Sequence, residues 1–298
     1  MATGAINTGW DIDVSQHRTA VGGAPDLARL REDNNGVSLV DAAGELFISV
    51  PGYDDANAAR ILRSFGSDAH VYLPGRGVIN GFAAANYISS TFLPNILVGD
   101  VVGQVLDAAG GLDLMQTTTA NKPILRKPSN NYYWEFDGVN DSLALASVPF
   151  QQADDRVVIA GFNTSSSPAL ARCVINVSAI SGIPIAIRLE LTGGTGLISA
   201  FARDDAGTLS VVAYTAGADA TVVTSVRVLS GVRVLRVDGV QRATNSTVLG
   251  ATTLTFADIG YIQMGSPLNY FKGAIYPVIA IKGTVSDANL LILERWVG

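Results

Sequence analysis

From residue 130 onward the chain is built of short β-prone runs cut by turn residues: "RVVIAGFNT", "RCVINVS", "IPIAIRLEL", "GLISAFA", "LSVVAYTA", "TVVTSVRV", "VRVLRVDG", "TTLTFADIGYIQMG" and "GAIYPVIAIKG". Runs rich in β-branched and aromatic residues, spaced roughly 8 to 14 positions apart, predict an all-β sandwich or barrel. The punctuation agrees. Asp238-Gly239 in "VLRVDGVQRA" is the dipeptide that favours a two-residue hairpin with positive φ at both central positions. Gly193-Gly194, Asp205-Ala206-Gly207 and Lys282-Gly283 interrupt the pattern in the same manner. One segment departs from it: "GTVSDANLLILERWVG" offers Ser286 as an N-cap, Asp287 in the first turn, and Leu290, Leu291, Leu293, Trp296 and Val297 on one apolar face. It predicts a short C-terminal helix lying against the sheets.

The first 95 residues carry other signals. "GELFISVPGYDD" predicts a strand ending at Pro51, "DDANAARILRSFG" a helix that starts at Asp54 or Asp55 and stops at Gly66, and "AHVYLPGRG" a further short strand. Gly, Pro and Asn interrupt each of them. The expected organisation is therefore an N-terminal arm with a small mixed attachment subdomain over residues 1–95, followed by the β-sandwich over 96–298. "VDAAG" at Val40 to Gly44 recurs as "LDAAG" at Leu106 to Gly110. Without further similarity around the two copies, the repeat reads as common turn chemistry rather than a duplication.

With 298 residues, 48% of them hydrophobic and 15% charged, the chain is long and apolar enough for a sizeable core. A net charge of −6 with 20 scattered Lys and Arg argues against a nucleic-acid partner, which needs a basic stripe. The single cysteine, Cys173, leaves no internal disulfide and reads as a buried apolar residue. The N-terminus has no basic-then-apolar leader, and no apolar run reaches the roughly 18 residues of a membrane span. No membrane insertion is expected, and the cytoplasm is the expected place of synthesis.

Three phrases add a resemblance. "VGDVVGQVLDAAGGLDLMQTTTANKPILRK" carries a strand, a glycine turn, and an Ala- and Thr-rich stretch that ends in proline before a basic residue. "YWEFDGVNDSLAL" carries an F-D-G-x-x-D-x-L corner. "YFKGAIYPVIAIKGTVSDANLLILERWV" carries F-x-G-x-I-Y before a helix start. In this order, from about Val98 to the last residue, they resemble the concanavalin A-like, laminin-G type jelly roll of many bacteriophage virion and tail-associated proteins. The resemblance implies a lectin-like jelly roll in a non-enzymatic virion structural protein made in the host bacterial cytoplasm, as a capsid decoration or as a tail component. It also implies other virion proteins as partners, and a homo-oligomer with a trimer as its first candidate. The alternative is a carbohydrate-binding adhesin or receptor-binding module that recognises a bacterial surface glycan.

Chemistry is densest in "YWEFDGVNDSLAL". Glycosidases of this fold class carry an E-x-D-x-x-E motif on one strand, and Glu135 with Asp137 match its first two acids. The third acid is Asp141 rather than Glu, with Gly138 breaking the strand before it. Hydrolysis needs two carboxyls at a set separation, one with a raised pKa, and that pattern fails here. No catalytic residue is expected. The simpler reading has Trp134 and Phe136 facing the core, Asp137-Gly138 opening a turn, Asp141 capping it, and Leu143 and Leu145 returning on the next strand. A calcium ion held by Asp137, Asp141 and loop carbonyls is the competing reading, because jelly rolls of this type often bind calcium in rim loops. His17 and His70, the two histidines, lie near no nucleophile motif, and their number leaves little for zinc. Tyr132, Tyr133, Tyr261, Tyr270 and Phe271 lie near loops. They are candidates for stacking on sugar rings, with core packing or a subunit interface as the competing uses.

Overall fold

The computed structural model describes residues 53–298, apart from 76, 80–81, 89–95, 110, 129–130, 165–170, 180–184, 193–194, 251 and 263–269. Helix α1 spans Tyr53–Ser64. The first strands are β1 (Ala69–Tyr72), β2 (Gly77–Ile79), β3 (Phe82–Ala84), β4 (Asn86–Tyr87), β5 (Gln104–Val105), β6 (Leu114–Met115) and β7 (Ile124–Arg126). Next come β8 (Tyr133–Asp137), β9 (Leu143–Leu145), β10 (Arg156–Asn163), β11 (Ala171–Ser178), β12 (Ile185–Thr192) and β13 (Leu197–Arg203). The last are β14 (Leu209–Thr215), β15 (Thr221–Leu229), β16 (Val232–Val237), β17 (Val240–Asn245), β18 (Phe256–Ile259) and β19 (Lys272–Lys282), before helix α2 (Asp287–Val297).

Two antiparallel sheets face each other, which makes the expected jelly-roll sandwich. One runs β17-β16-β15-β10-β19-β8-β7, with β1 also on β19; the other runs β14-β13-β12-β11-β18-β9-β6-β5-β4. Strand β19 is the organiser of the first sheet. Its residues Ile275 to Lys282 pair with β10 on one edge, while on the other β8 takes Lys272 to Ile275 and β1 takes Val278 to Ile281.

Two cores explain why β10 and β19 lack polar alternation. Val158, Ala160 and Phe162 of β10 face the main core between the sheets, where Trp134, Phe136 and Phe271 are also fully buried. Phe271 stands edge-on to Phe136 and Phe162, with ring centroids 6.1 and 6.3 Å away. Val157 and Ile159 point the other way, into a second core with Ile61 and Leu62 of α1, Val71 of β1, and Leu290, Leu293 and Trp296 of α2. A strand buried on both faces reads as a continuous apolar run.

The local signals hold in detail. Asp238 and Gly239 have φ of 51° and 75°, and Val237 pairs with Val240 across a two-residue turn. The Ser286 side chain accepts from the Asn289 N–H at 3.3 Å and caps α2. Near the other end of α2, buried Glu294 accepts from Ser225 Oγ at 2.5 Å and from Arg236 Nε at 2.8 Å. That anchors the helix to β15 and β16.

The N-terminal expectations meet a different boundary. The strand ending at Pro51 and the "VDAAG" phrase lie outside the described residues. Helix α1 and β1 form where "DDANAARILRSFG" and "AHVYLPGRG" predict them, but residues 58–298 make a single compact unit. β1 is therefore a strand of the sandwich sheet, although it lies before residue 96. Among the described residues no helix is long and apolar enough to cross a membrane.

Candidate functional site

"YWEFDGVNDSLAL" crosses from one sheet to the other: β8 pairs with β7 and β19, and β9 pairs with β6 and β18. Trp134 and Phe136 are buried as expected, and Gly138 makes the turn at φ 80°. The capping is reciprocal. Asp137 Oδ1 accepts from the N–H groups of Val139, Asn140 and Asp141 at 2.7, 3.1 and 3.4 Å, and Asp141 Oδ2 accepts from the Asp137 N–H at 2.8 Å. Burial first, then the Asp137 and Glu135 charges, push the Asp141 carboxyl up to about 6, against the lowering hydrogen bond from the Asp137 N–H. Glu135 sits in a half-exposed ion pair, 2.7 Å from Arg126 Nε. A cation at the corner would compete with these backbone donors for oxygen. Among the described residues no three His, Cys, Asp or Glu side chains group as metal ligands.

The four candidate tyrosines separate into two places. Phe271 donates its N–H to the Gly260 carbonyl at 2.8 Å, and this brings Tyr261 and Tyr270 side by side where β18 ends and β19 begins. Their rings stack with centroids 4.7 Å apart and planes 19° apart. Both remain partly exposed. Burial, then the neighbouring Tyr270 and Asp258, push the Tyr261 phenol up to about 12, so it stays neutral. Phe271, named with them from the sequence, belongs to the core instead, with no exposed surface.

Tyr132 and Tyr133 lie at the start of β8, about 13 Å along the strand from Asp137 at the usual rise per residue. Lys127 Nζ sits 4.6 Å over the Tyr132 ring, and Tyr133 packs at 5.5 Å against Tyr276. The paired rings of Tyr261 and Tyr270 instead share the end of β19 near the Asp137 corner, where Lys272 pairs with Asp137.

Two buried groups complete the chemistry near these elements. Cys173 is fully buried, and burial, then the Glu190 charge, push its thiol well above the usual value. Asp258, on the face of β18 opposite core residues Ala257 and Ile259, is pushed up to about 8 by burial. Burial therefore favours its protonated form.

Sequence reasoning missed one constellation. His70 on β1 and Asp107 are 37 positions apart, yet His70 Nδ1 lies 2.7 Å from Asp107 Oδ2. The Asp107 carboxylate is fully buried and also accepts from the N–H groups of Val71 at 2.8 Å and of Ala109 and Leu112 at 3.0 Å. Burial raises its pKa, but the hydrogen bonds outweigh that and hold it below the usual carboxylate value. An ionised acceptor places the imidazole proton on Nδ1. His70 also lines an open cleft of about 460 Å³ between the turn at Ser67 and Asp68 and the loop from Ser147 to Gln151. The signal lay in "LDAAGGLD", whose first Asp organises its own turn. No local pattern tied it to a histidine.

No family model and no curated protein matches the chain. Solved structures do match. The chain is similar to the binding domain of botulinum neurotoxin serotype G at 10% identity, with a TM-score of 0.50 over 64% of this chain and 48% of that one. It is also similar to the binding domain of Paraclostridial mosquitocidal protein 1, at 9% identity and a TM-score of 0.49 over 64% and 49%. A carbohydrate-binding module of a Ruminococcus gnavus sialidase, bound to α2,6-sialyllactose, matches at 14% identity and a TM-score of 0.40 over 49% and 84%. The chain spans about half the length of the two toxin domains. The likeness to the serotype G domain is one of fold: a β-sandwich of the kind found in binding domains.

Proposed function

We propose that this chain is a non-catalytic glycan-binding module in which Tyr261 and Tyr270 form the sugar-contacting surface. The stacked ring pair carries the reading. It is a neutral, partly exposed aromatic surface at a strand junction, with two phenol groups to hydrogen-bond hydroxyls and ring faces suited to the apolar side of a pyranose. The shared fold of a toxin binding domain supports it at the level of architecture. The chemistry of the acids supports the absence of catalysis, because Asp137 is bonded into its turn and Glu135 into an ion pair. Of the two settings the sequence leaves open, these observations favour the surface-glycan module over a purely structural virion component.

A glycan array probed with the purified chain tests this. At least one bacterial surface glycan is expected to bind, with a loss of roughly tenfold or more in Tyr261→Ala and Tyr270→Ala, as for aromatic anchors at other interfaces. Absence of any glycan binding, or alanine variants that bind as well as the parent, would overturn the reading.

A further inference from the structure

The cleft beside His70 has no part in the tyrosine surface, and its groups make a coherent set. The His70 side chain is only 7% exposed and Nδ1 is taken by Asp107, so Nε2 is the nitrogen left for the cleft that the residue lines. With the proton held on Nδ1, the neutral form of the ring presents Nε2 as a hydrogen-bond acceptor. Around it stand the carboxylates of Asp68 and Asp154, the Ser147 hydroxyl and the Lys282 ammonium, which is 3.9 Å from Asp154 Oδ1. Val148 and Pro149 supply an apolar wall. The buried Asp107 turn fixes the position of His70, because three backbone N–H groups hold the carboxylate that holds the ring.

We propose that this cleft is a second saccharide subsite, taking a neutral, hydroxyl-rich sugar ring whose hydroxyls donate to His70 Nε2 and to the Asp68 and Asp154 carboxylates. The proposal rests on the glycan-binding reading for its ligand class, but on separate residues. The two carboxylates and one ammonium of the lining leave a net negative cleft, which accepts hydroxyl donors and repels acidic sugars. A volume of about 460 Å³ lies within the usual range for small-ligand sites. Hydroxyl donors meeting several acceptors, with an apolar wall for one ring face, distinguish a sugar from a phosphate or a carboxylate ligand.

The chain has two histidines, so the imidazole region of its NMR spectrum reports the cleft directly, and the spectrum of His70→Asn assigns which signal is His17. Lactose, maltotriose and triacetylchitotriose serve as neutral probes and α2,6-sialyllactose as the acidic one. His70→Asn keeps a donor near the Nδ1 position for Asp107 and deletes Nε2, whereas His70→Gln keeps a polar atom near Nε2. Ser147→Trp fills the cleft from an exposed position. The expected result is a shift of the His70 signal by at least one neutral probe and weaker binding of the sialylated one. Affinity should fall roughly tenfold in His70→Asn and Ser147→Trp at unchanged melting temperature, with His70→Gln closer to the parent.

Failure of every neutral probe to shift His70 overturns the subsite. So does retention of parental affinity in both His70→Asn and Ser147→Trp. Binding lost in Tyr261→Ala and Tyr270→Ala but kept in the cleft variants would overturn the subsite and leave the tyrosine surface standing. The reverse pattern would support the subsite and overturn the tyrosine surface.

Discussion

Asp141 and Asp258 are two buried carboxylates whose pKa values stand at about 6 and about 8. For an acid raised above its unfolded value near 4, the stability it contributes is complete below pH 4 and is lost as pH rises to the folded pKa. Asp141 therefore costs stability between about pH 4 and 6, and Asp258 between about pH 4 and 8. Replacing either by Asn removes the ionisation at nearly constant shape. Asp141→Asn is expected to gain about 1–2 kcal/mol at pH 7, after allowance for its partial solvation, and nothing at pH 4. Between pH 6 and 8 that gain is flat. The gain from Asp258→Asn keeps rising over the same interval, at about 1.4 kcal/mol per pH unit. Urea melts at pH 4, 6, 7 and 8 read both curves, and a parallel response of the two variants would contradict the assignment. Gly260 is constrained at the same scale, by contact. Its φ is 82°, and an added Cβ would lie 2.2 Å from the Phe136 ring.

The elements were legible where their signals are local. Asp238-Gly239 named its turn type, Ser286 its cap, and the β-prone run "RVVIAGF" its strand, though not that the strand is buried on both faces. Pairing was less legible, because partners are chosen across the chain. Nothing near "YWEFD" announces that β8 and β9 join different sheets, and nothing in "AHVY" announces β19 as its partner 200 residues later. The site divided in the same way: stacking of Tyr261 on Tyr270 depends on the Gly260 to Phe271 hydrogen bond, and the His70 to Asp107 pair on the docking of a loop against β1. Asn86 shows what such long-range ties contribute. Its side chain accepts from the Trp134 indole N–H at 2.6 Å and donates to the carbonyls of Leu73 and Gly75 at 2.8 and 2.7 Å, all in the buried interior. Asn86→Ala strands three buried polar groups and is expected to cost about 2–4 kcal/mol in a denaturant melt. Asn86→Asp restores the indole acceptor but sets a buried carboxyl oxygen against the Leu73 and Gly75 carbonyls, and should recover none of that loss at neutral pH.

At the scale of the whole molecule, the second core ties α1, β1 and α2 to the outer face of the β10–β19 sheet. A chain reduced to residues 96–298 loses β1 from one sheet and β4 from the other, and with α1 and β1 it loses much of the core around Val157, Ile159, Ile279 and Ile281. It is expected to aggregate or to bind a hydrophobic dye, whereas a chain of residues 53–298 stays soluble with a sharp melt. Equal behaviour of the two would place the boundary near residue 95 after all. The central position of β19 also sets a schedule for synthesis. Strands β1, β8 and β10 leave the ribosome long before the strand they share, so the edges that pair with β19 stay open until it has emerged. Completion of this sheet waits for β19, and until then those edges are open to pairing with a neighbouring copy.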